Sequence, residues 1–301
     1  MMSFSNQYIG DVASVTTALS WSIAVILFQS IGYKYRVLAF NLFKNTAAIV
    51  FFGVTLVVLG ETSIPNMSAR DWGIITFSGV LGVALGDILF ISSLNKIGAS
   101  MQAIVDCLYS PMVLVMAYFL FSEVLSPIDL LGGFLVLSGI FVVGFERGGE
   151  GSAKSAKFVG IVFGVLSQFF TILAVLISRD VFQKEYSLVW LTFYRFFFGN
   201  ITLIIYILVS RQKGHFKEAF ELFKTFDLRA WASSFFGPFL ATILWFTGFK
   251  YTMAGKAAIY NQLSTVFIIL LSTWFLKEKL SFRKVLAVAL GITGAVLVSW
   301  N

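Results

Sequence analysis

The sequence predicts an all-α integral membrane protein with ten transmembrane helices, arranged as two inverted five-helix repeats. Three observations carry this. First, 58% of the 301 residues are hydrophobic and only 12% are charged, where a soluble domain has about 25% charged residues. Second, the apolar residues gather into ten runs, each close to the roughly 20 residues that cross a bilayer at 1.5 Å per residue. Third, the second half of the chain repeats the first at an offset of 155 positions.

The ten runs are 10–31, 37–59, 71–93, 100–121, 127–146, 157–179, 188–210, 228–250, 257–276 and 282–300. Most connections are too short to hold a soluble domain. The opening MMSFSNQYIGD has no basic stretch followed by a cleavage site, so the first run reads as a retained helix. Two connections are polar. The stretch ERGGEGSAKSAK begins at Glu146 and has the Gly, Ser and charge of a linker. It divides the chain into a repeat over 1–146, a linker at 147–156 and a repeat over 157–301. The other runs from Arg211 to Arg229, with Phe216, Phe220, Leu222, Phe223 and Phe226 near helical spacing between lysines. It reads either as a helix lying in the interface or as an ordinary amphipathic connector.

The repeat is clearest where EVLSPIDLLGGFLVLSGIFVV (123–143) aligns with EKLSFRKVLAVALGITGAVLV (278–298) without a gap. Glu123 matches Glu278, Ser126 matches Ser281, Leu135 matches Leu290 and Gly139 matches Gly294. The same offset pairs Gly82 with Gly237 and Asp106 with Asn261. Five helices is an odd number, so the second copy enters the membrane upside down. Inverted repeats of this kind place a solute site near the midplane between them. Locally, Ser126 can cap the fifth helix, Pro127 occupies its tolerated first position and Asp129 can close a capping box. Ser281 can cap the tenth in the same way, and Glu123 and Glu278 read as structural residues of these turns.

The repeated E-x-L-S turn before a Gly-spaced terminal helix resembles the EamA repeat of the drug/metabolite transporter superfamily. So do GFKYTMAGKAAIYNQLSTVFIILLSTWFLKEKLS (248–281) and its weaker partner SLNKIGASMQAIVDCLYSPMVLVMAYFLFSEVLS (93–126). The resemblance covers essentially the whole chain. Many members carry Gly before the turn Glu; here Ser122 and Lys277 stand there. The resemblance implies an alternating-access carrier in a plasma membrane, of the bacterial inner-membrane kind. Its members export amino acids, nucleobases and other metabolites, or exchange sugar phosphates and nucleotide sugars. Their motifs specify the family and not the solute.

Charges inside a spanning helix are costly and face a cavity or a partner. There are four: Lys44, Asp87, Asp106 and Arg195. Call the side holding the N-terminus face X and the other face Y. Counting 1.5 Å per residue, Lys44, Asp87 and Asp106 all lie roughly 10 Å in from face Y, which lets them form one network. Arg195 is the inverted counterpart of Lys44. At the matching depth the second half offers no carboxylate, but Thr242, Tyr260, Asn261 and Gln262 instead. A cation on one wall and a carboxylate on another suit a zwitterion. An Asp that takes up a proton would also couple transport to a proton gradient. The competing reading is that Lys44 and Arg195 snorkel outward and that the Asp side chains only pair. Trp21, Tyr194, Trp245 and Tyr260 are candidates for an aromatic wall. Pro111 and Pro238 interrupt apolar runs and mark either a binding site or a packing kink. Gly79, Gly82 and Gly86 share one helix face and read as close packing; Cys107 reads as a small core residue.

Of the 22 Lys and Arg, five fall on face X and fifteen on face Y, the other two being Lys44 and Arg195. The positive-inside rule then puts face Y in the cytoplasm and both termini outside, although ten-helix relatives are often drawn with both termini inside. One Cys and one His, His215 in a polar loop, leave no material for a disulfide framework, a metal cluster or His-based catalysis. No Walker motif is present, so ATP is not a direct energy source. The reading is therefore a monomeric carrier and not an enzyme, with no cofactor and no nucleic acid. Its partners are the lipid bilayer, a small-molecule substrate and a coupling proton or counter-substrate. Amino acids or similar zwitterions are the first candidates. An organic-phosphate or nucleotide-sugar exchanger and an organic-cation or drug exporter are the alternatives.

Overall fold

A computed structural model describes residues 4–121, 126–144, 152–251 and 254–300. Ser122, Glu123, Leu125 and the first half of the 147–156 linker, 147–151, lie outside the described residues. Among the described residues there are ten long helical segments, one short helix and no strand. They are α1 (Phe4–Gly32), α2 (Val37–Val58), α3 (Ala69–Ile97) and α4, which is broken into Ala99–Asp106 and Tyr109–Phe121. Next come α5 (Pro127–Gly144), α6 (Ser152–Phe182), α7 (Leu188–Val209) and the short α8 (Gly214–Thr225). The last are α9 (228–251), α10 (Ala254–Phe275) and α11 (Phe282–Trp300). Seven of these are long and apolar enough to cross a membrane by length and composition, and α5 adds a shorter apolar stretch, Leu130–Val142. The chain is an all-α integral membrane protein built from two five-helix repeats, with α8 lying between the second and third spans of the second repeat.

Two boundaries differ from the sequence reading. The helix α6 begins at Ser152, inside the expected linker, because SAKSAK supplies good helix formers once the Gly run ends. His215 sits not in a loop but in the first turn of α8, where it is buried and its Nε2 pairs with Gln212 Oε1 at 2.9 Å. The helix docks on α2 through His215, Ala219 and Leu222, while Phe220 stays exposed. Arg36 donates through Nε to Glu218 at 2.6 Å and holds it there.

The inverted repeat is visible in the packing. The fifth helix of each repeat, α5 and α11, forms the most extensive helix pair. A Cβ at Gly139 would lie 2.7 Å from the Ala287 carbonyl oxygen, and one at Gly294 would overlap the Gly132 carbonyl oxygen. Positions 132 and 287, like 139 and 294, are 155 apart, so the two contacts are images of each other. Glycine is needed there because the backbones touch.

A second symmetric feature lies in the third helix of each repeat. The α3 backbone becomes π-helical over Gly79–Gly86, and that of α9 over Phe235–Ala241, the same place once the offset is applied. Pro238 provides a cause in α9, since it removes a backbone donor inside the helix. Carbonyls of both stretches are taken up by serines of the opposite repeat. Ser167 Oγ donates to Gly86 O at 2.8 Å, and Ser20 Oγ donates to Phe236 O at 2.7 Å. π-helical turns of this kind concentrate at functional sites.

The repeats are also tied at both faces. On face X, Lys184 Nζ donates to both carboxylate oxygens of Asp71 at 2.7 Å. On face Y, the Glu278 carboxylate accepts from the Ala99 N–H at 2.9 Å, the Ser100 N–H at 3.2 Å and the Ser100 hydroxyl. Glu278 thus caps α4 of the other repeat, at Gly98, whose φ of +80° suits only glycine. Ser281 Oγ accepts from Lys284 N at 3.3 Å, the cap of α11 that its position predicts.

Candidate functional site

Between the repeats lies a cavity of about 250 Å³. It is walled by the first four long helices of each repeat, and α5 and α11 take no part. All four intramembrane charges face it, namely Lys44, Asp87, Asp106 and Arg195. The sequence puts Lys44, Asp87 and Asp106 at one depth from face Y and Arg195 at the mirrored position counted from face X. Trp21, Trp245, Asn261 and Gln262 also line it, as do Thr242 and Pro238.

Tyr194 and Tyr260 do not line it. Tyr194 packs instead between Trp190, stacked with ring centroids 5.0 Å apart, and Trp72 at 4.4 Å. It precedes Arg195, and one residue turns a helix face by about 100°. Tyr260 stands in the same relation to Asn261.

The Lys44 ammonium donates to Asp87 Oδ2 and forms an ion pair with it. The same ammonium lies 5.9 Å from the centre of the Phe28 ring. Lys44 is therefore turned inward and does not snorkel.

Asp106 ends the first half of α4. Pro111 has no N–H to offer the Cys107 carbonyl one turn earlier, and the helix tightens into a turn at Cys107 and Leu108 before resuming. That break presents the Asp106 carboxylate to the cavity. Its Oδ1 accepts from Gln102 Nε2 at 2.8 Å and from Gln168 Nε2 at 2.5 Å. Its Oδ2 accepts no hydrogen bond from any described residue.

Arg195 is 6% exposed, and its guanidinium carbon lies 5.6 Å from the ring centres of both Phe182 and Phe246. Its Nε has no hydrogen-bond partner, and no described carboxylate lies within ion-pair distance. Gly79 and Gly82 make room for this arrangement, as their shared face predicts, for a Cβ at Gly79 would overlap the Arg195 carbonyl oxygen. A Cβ at Gly82 would lie 3.3 Å from Arg195 Nη2 and from the Ala174 side chain.

Gln168, Thr17, Thr171, Ser264 and Thr265 line the cavity without having been singled out in the sequence. Gln168 had a signal: it is a lone amide in the apolar run 157–179. The hydroxyls had none, since Ser and Thr bond to their own helix in apolar segments, as Thr17 does to the Ala13 carbonyl at 2.8 Å.

The model of the EamA-like transporter family matches residues 8–145 and 158–300, one copy on each repeat. The chain belongs to the EamA-like transporter family. An uncharacterized transporter of Archaeoglobus fulgidus is 22% identical over 288 residues, covering 95% of this chain and 96% of its own length. One crystal structure superposes with a TM-score of 0.66 at 18% identity, over 97% of this chain and 96% of the other, which shows the shared fold. The protein is thus a multi-pass membrane transporter of small molecules, and the cavity between its two EamA repeats is where a solute has room to bind.

Proposed function

We propose that this EamA transporter is an alternating-access carrier that exports amino acids or related zwitterions across the plasma membrane. One observation carries the reading: the cavity holds two cations and two carboxylates, and only half of them satisfy each other. Lys44 and Asp87 are a closed pair. Asp106 keeps one carboxylate oxygen without a partner among the described residues, and Arg195 keeps an unpaired N–H. A solute with one ammonium and one carboxylate supplies what each lacks and leaves the net charge of the buried site unchanged. Buried charges favour such balance strongly, because an unmatched ion in low dielectric is expensive.

The substrate ammonium then sits on Asp106, held in place by Gln102 and Gln168, and the carboxylate on Arg195. The cavity of about 250 Å³ lies below the roughly 300–1,000 Å³ of drug-sized sites, which fits a small metabolite. An exchanger of organic phosphates needs several unneutralised cations, and Lys44 is already neutralised. An organic cation would leave Arg195 unmatched. Alternating access follows from two inverted repeats tied at faces X and Y by separate contacts, and export follows from the resemblance to exporters of the family.

Counterflow in proteoliposomes tests this. Vesicles are preloaded with unlabelled amino acids, and uptake of labelled ones is followed with wild type and Asp106→Asn, with and without a pH gradient. Uptake by wild type that the variant loses is expected. No uptake of any amino acid sinks the reading.

A further inference from the structure

The duplication copied one part of a charge cluster and not another. In the first repeat, Lys44 lies against the Phe28 ring and is neutralised by Asp87. In the second, Arg195 lies against the Phe182 ring at nearly the same distance. Phe28 and Phe182 are 154 positions apart and both lie near the ends of the first helices of their repeats. Lys44 and Arg195 are 151 apart, and both lie two turns into the second helices. The position 155 after Asp87 is Thr242. Both residues directly follow the π-helical stretches, and both line the cavity. Phe246, one turn beyond Thr242 on α9, touches the guanidinium of Arg195. The ring and the cation are therefore present twice, and the carboxylate once.

An arginine that is 94% buried, with an unpaired Nε and no described carboxylate within ion-pair distance, carries a charge in a membrane interior that only the longer-range field of Asp87 offsets. The fold shows how that charge is matched in the other copy. We propose that the carboxylate of the transported solute occupies, beside Thr242, the place that the Asp87 carboxylate occupies beside Lys44. Thr242 is then a specificity-determining residue. By not being Asp, it keeps Arg195 open and makes the site demand one carboxylate from the solute. Its own hydroxyl is available to donate to that carboxylate. This rests on the carrier reading above, and its test separates the two.

The full-length chain in detergent is followed by thermal unfolding with tens of millimolar sodium propionate, a bare carboxylate, against sodium chloride and propionamide. Propionate is expected to raise the wild-type Tm by about 2 °C or more, and propionamide not at all. Thr242→Asp carries its own carboxylate, so it should unfold at a higher temperature than the uncharged, isosteric Thr242→Asn and show no response to propionate. In an Arg195→Gln background that order should invert, and the propionate response should vanish. The double swap Asp87→Thr with Thr242→Asp moves the vacancy to Lys44 and should regain the response. Thr242→Asp no more stable than Thr242→Asn, or a propionate shift that persists in Thr242→Asp or Arg195→Gln, overturns the proposal. If Thr242→Asp does not accumulate, Arg195→Gln and the swap still decide. Should these arms hold while no amino acid shows counterflow, the carboxylate site stands and the zwitterion falls. Should counterflow succeed while they fail, the carrier stands and its carboxylate is held elsewhere.

Discussion

Gln168 reaches across from α6 to donate to Asp106 Oδ1 at 2.5 Å, on the same oxygen that Gln102 already holds at 2.8 Å. Both amides therefore bind one side of the carboxylate and leave the other to the cavity. Gln168→Leu removes one of two charge-assisted bonds without removing the charge. Such bonds contribute about 1.5–3 kcal/mol each, so the affinity for a substrate ammonium is expected to fall about 10- to 100-fold with the fold retained. The concentration dependence of counterflow in Gln168→Leu measures this. An unchanged half-saturation would remove Gln168 from the site.

The Lys44–Asp87 pair makes an opposite demand. Removing one partner strands a charge in the core, which costs about 3–5 kcal/mol. Lys44→Met and Asp87→Asn are each expected to lower the Tm markedly. The double variant is expected to recover most of the loss, because replacing both members of a buried pair is often near neutral. Thermal unfolding of the four proteins gives the coupling. Additive losses would show that the two residues do not depend on each other.

The convergence of these charges was legible in the sequence, and the rest of the site was less so. Helix depth is a sum of residue rises, so counting from the ends of runs was enough to put Lys44, Asp87 and Asp106 together. Rotation about a helix is different. In a run as apolar as LVWLTFYRFFFGN no polar face exists to orient it, and Tyr194 could not be told from Arg195 as a wall residue. Cross-helix partners are also silent. Gln168 lies 62 positions from Asp106 and Glu278 lies 179 from Ala99. The E-x-L-S turn announced a structural glutamate, but not that it would cap a helix of the other repeat.

His215 gives α8 a pH dependence. Burial holds its pKa below the ordinary 6.5, and the nearby Arg36 guanidinium adds to this against an opposing pull from Glu218. A base whose folded pKa is depressed binds fewer protons folded than unfolded. Docking of α8 is therefore at full strength above pH 6.5 and weakens as the pH falls below it. Hydrogen exchange of the 214–225 amides at pH 7.5 and 5.5 should show faster opening at the lower value. His215→Gln should flatten the difference. An equal acid effect in the variant would assign it to other groups.

Gly82 sets how close α3 can come to the guanidinium. In Gly82→Ala the new Cβ lies 3.3 Å from Arg195 Nη2 and the same distance from the Ala174 side chain. Overpacking of this size costs about 1–3 kcal/mol, and part of it falls on the position of Arg195. Transport is expected to drop more than stability does. Comparing counterflow rate with Tm in Gly82→Ala tests that. A loss of Tm with normal counterflow would make Gly82 a packing residue alone.

Glu278 carries the last prediction, because its contact joins two halves that must move against each other. Its carboxylate holds two backbone N–H groups and a hydroxyl at the start of α4, and Lys284 Nζ lies 3.6 Å away to balance the charge. An uncapped helix start costs about 1 kcal/mol for an ordinary cap, and a carboxylate at the positive end of the helix adds about 0.3–1 kcal/mol. Glu278→Ala is therefore expected to destabilise face Y by about 1–2 kcal/mol, and Glu278→Gln by less, since the amide oxygen still accepts. The energy is lost where the repeats touch, so its first effect is to loosen closure at that face. A cysteine introduced at Ser100 should react slowly with a membrane-impermeant maleimide in the parent and faster once Glu278→Ala is added, with the rise seen only from the side of face Y. Equal labelling rates in the two backgrounds would mean that the cap stabilises α4 without gating it.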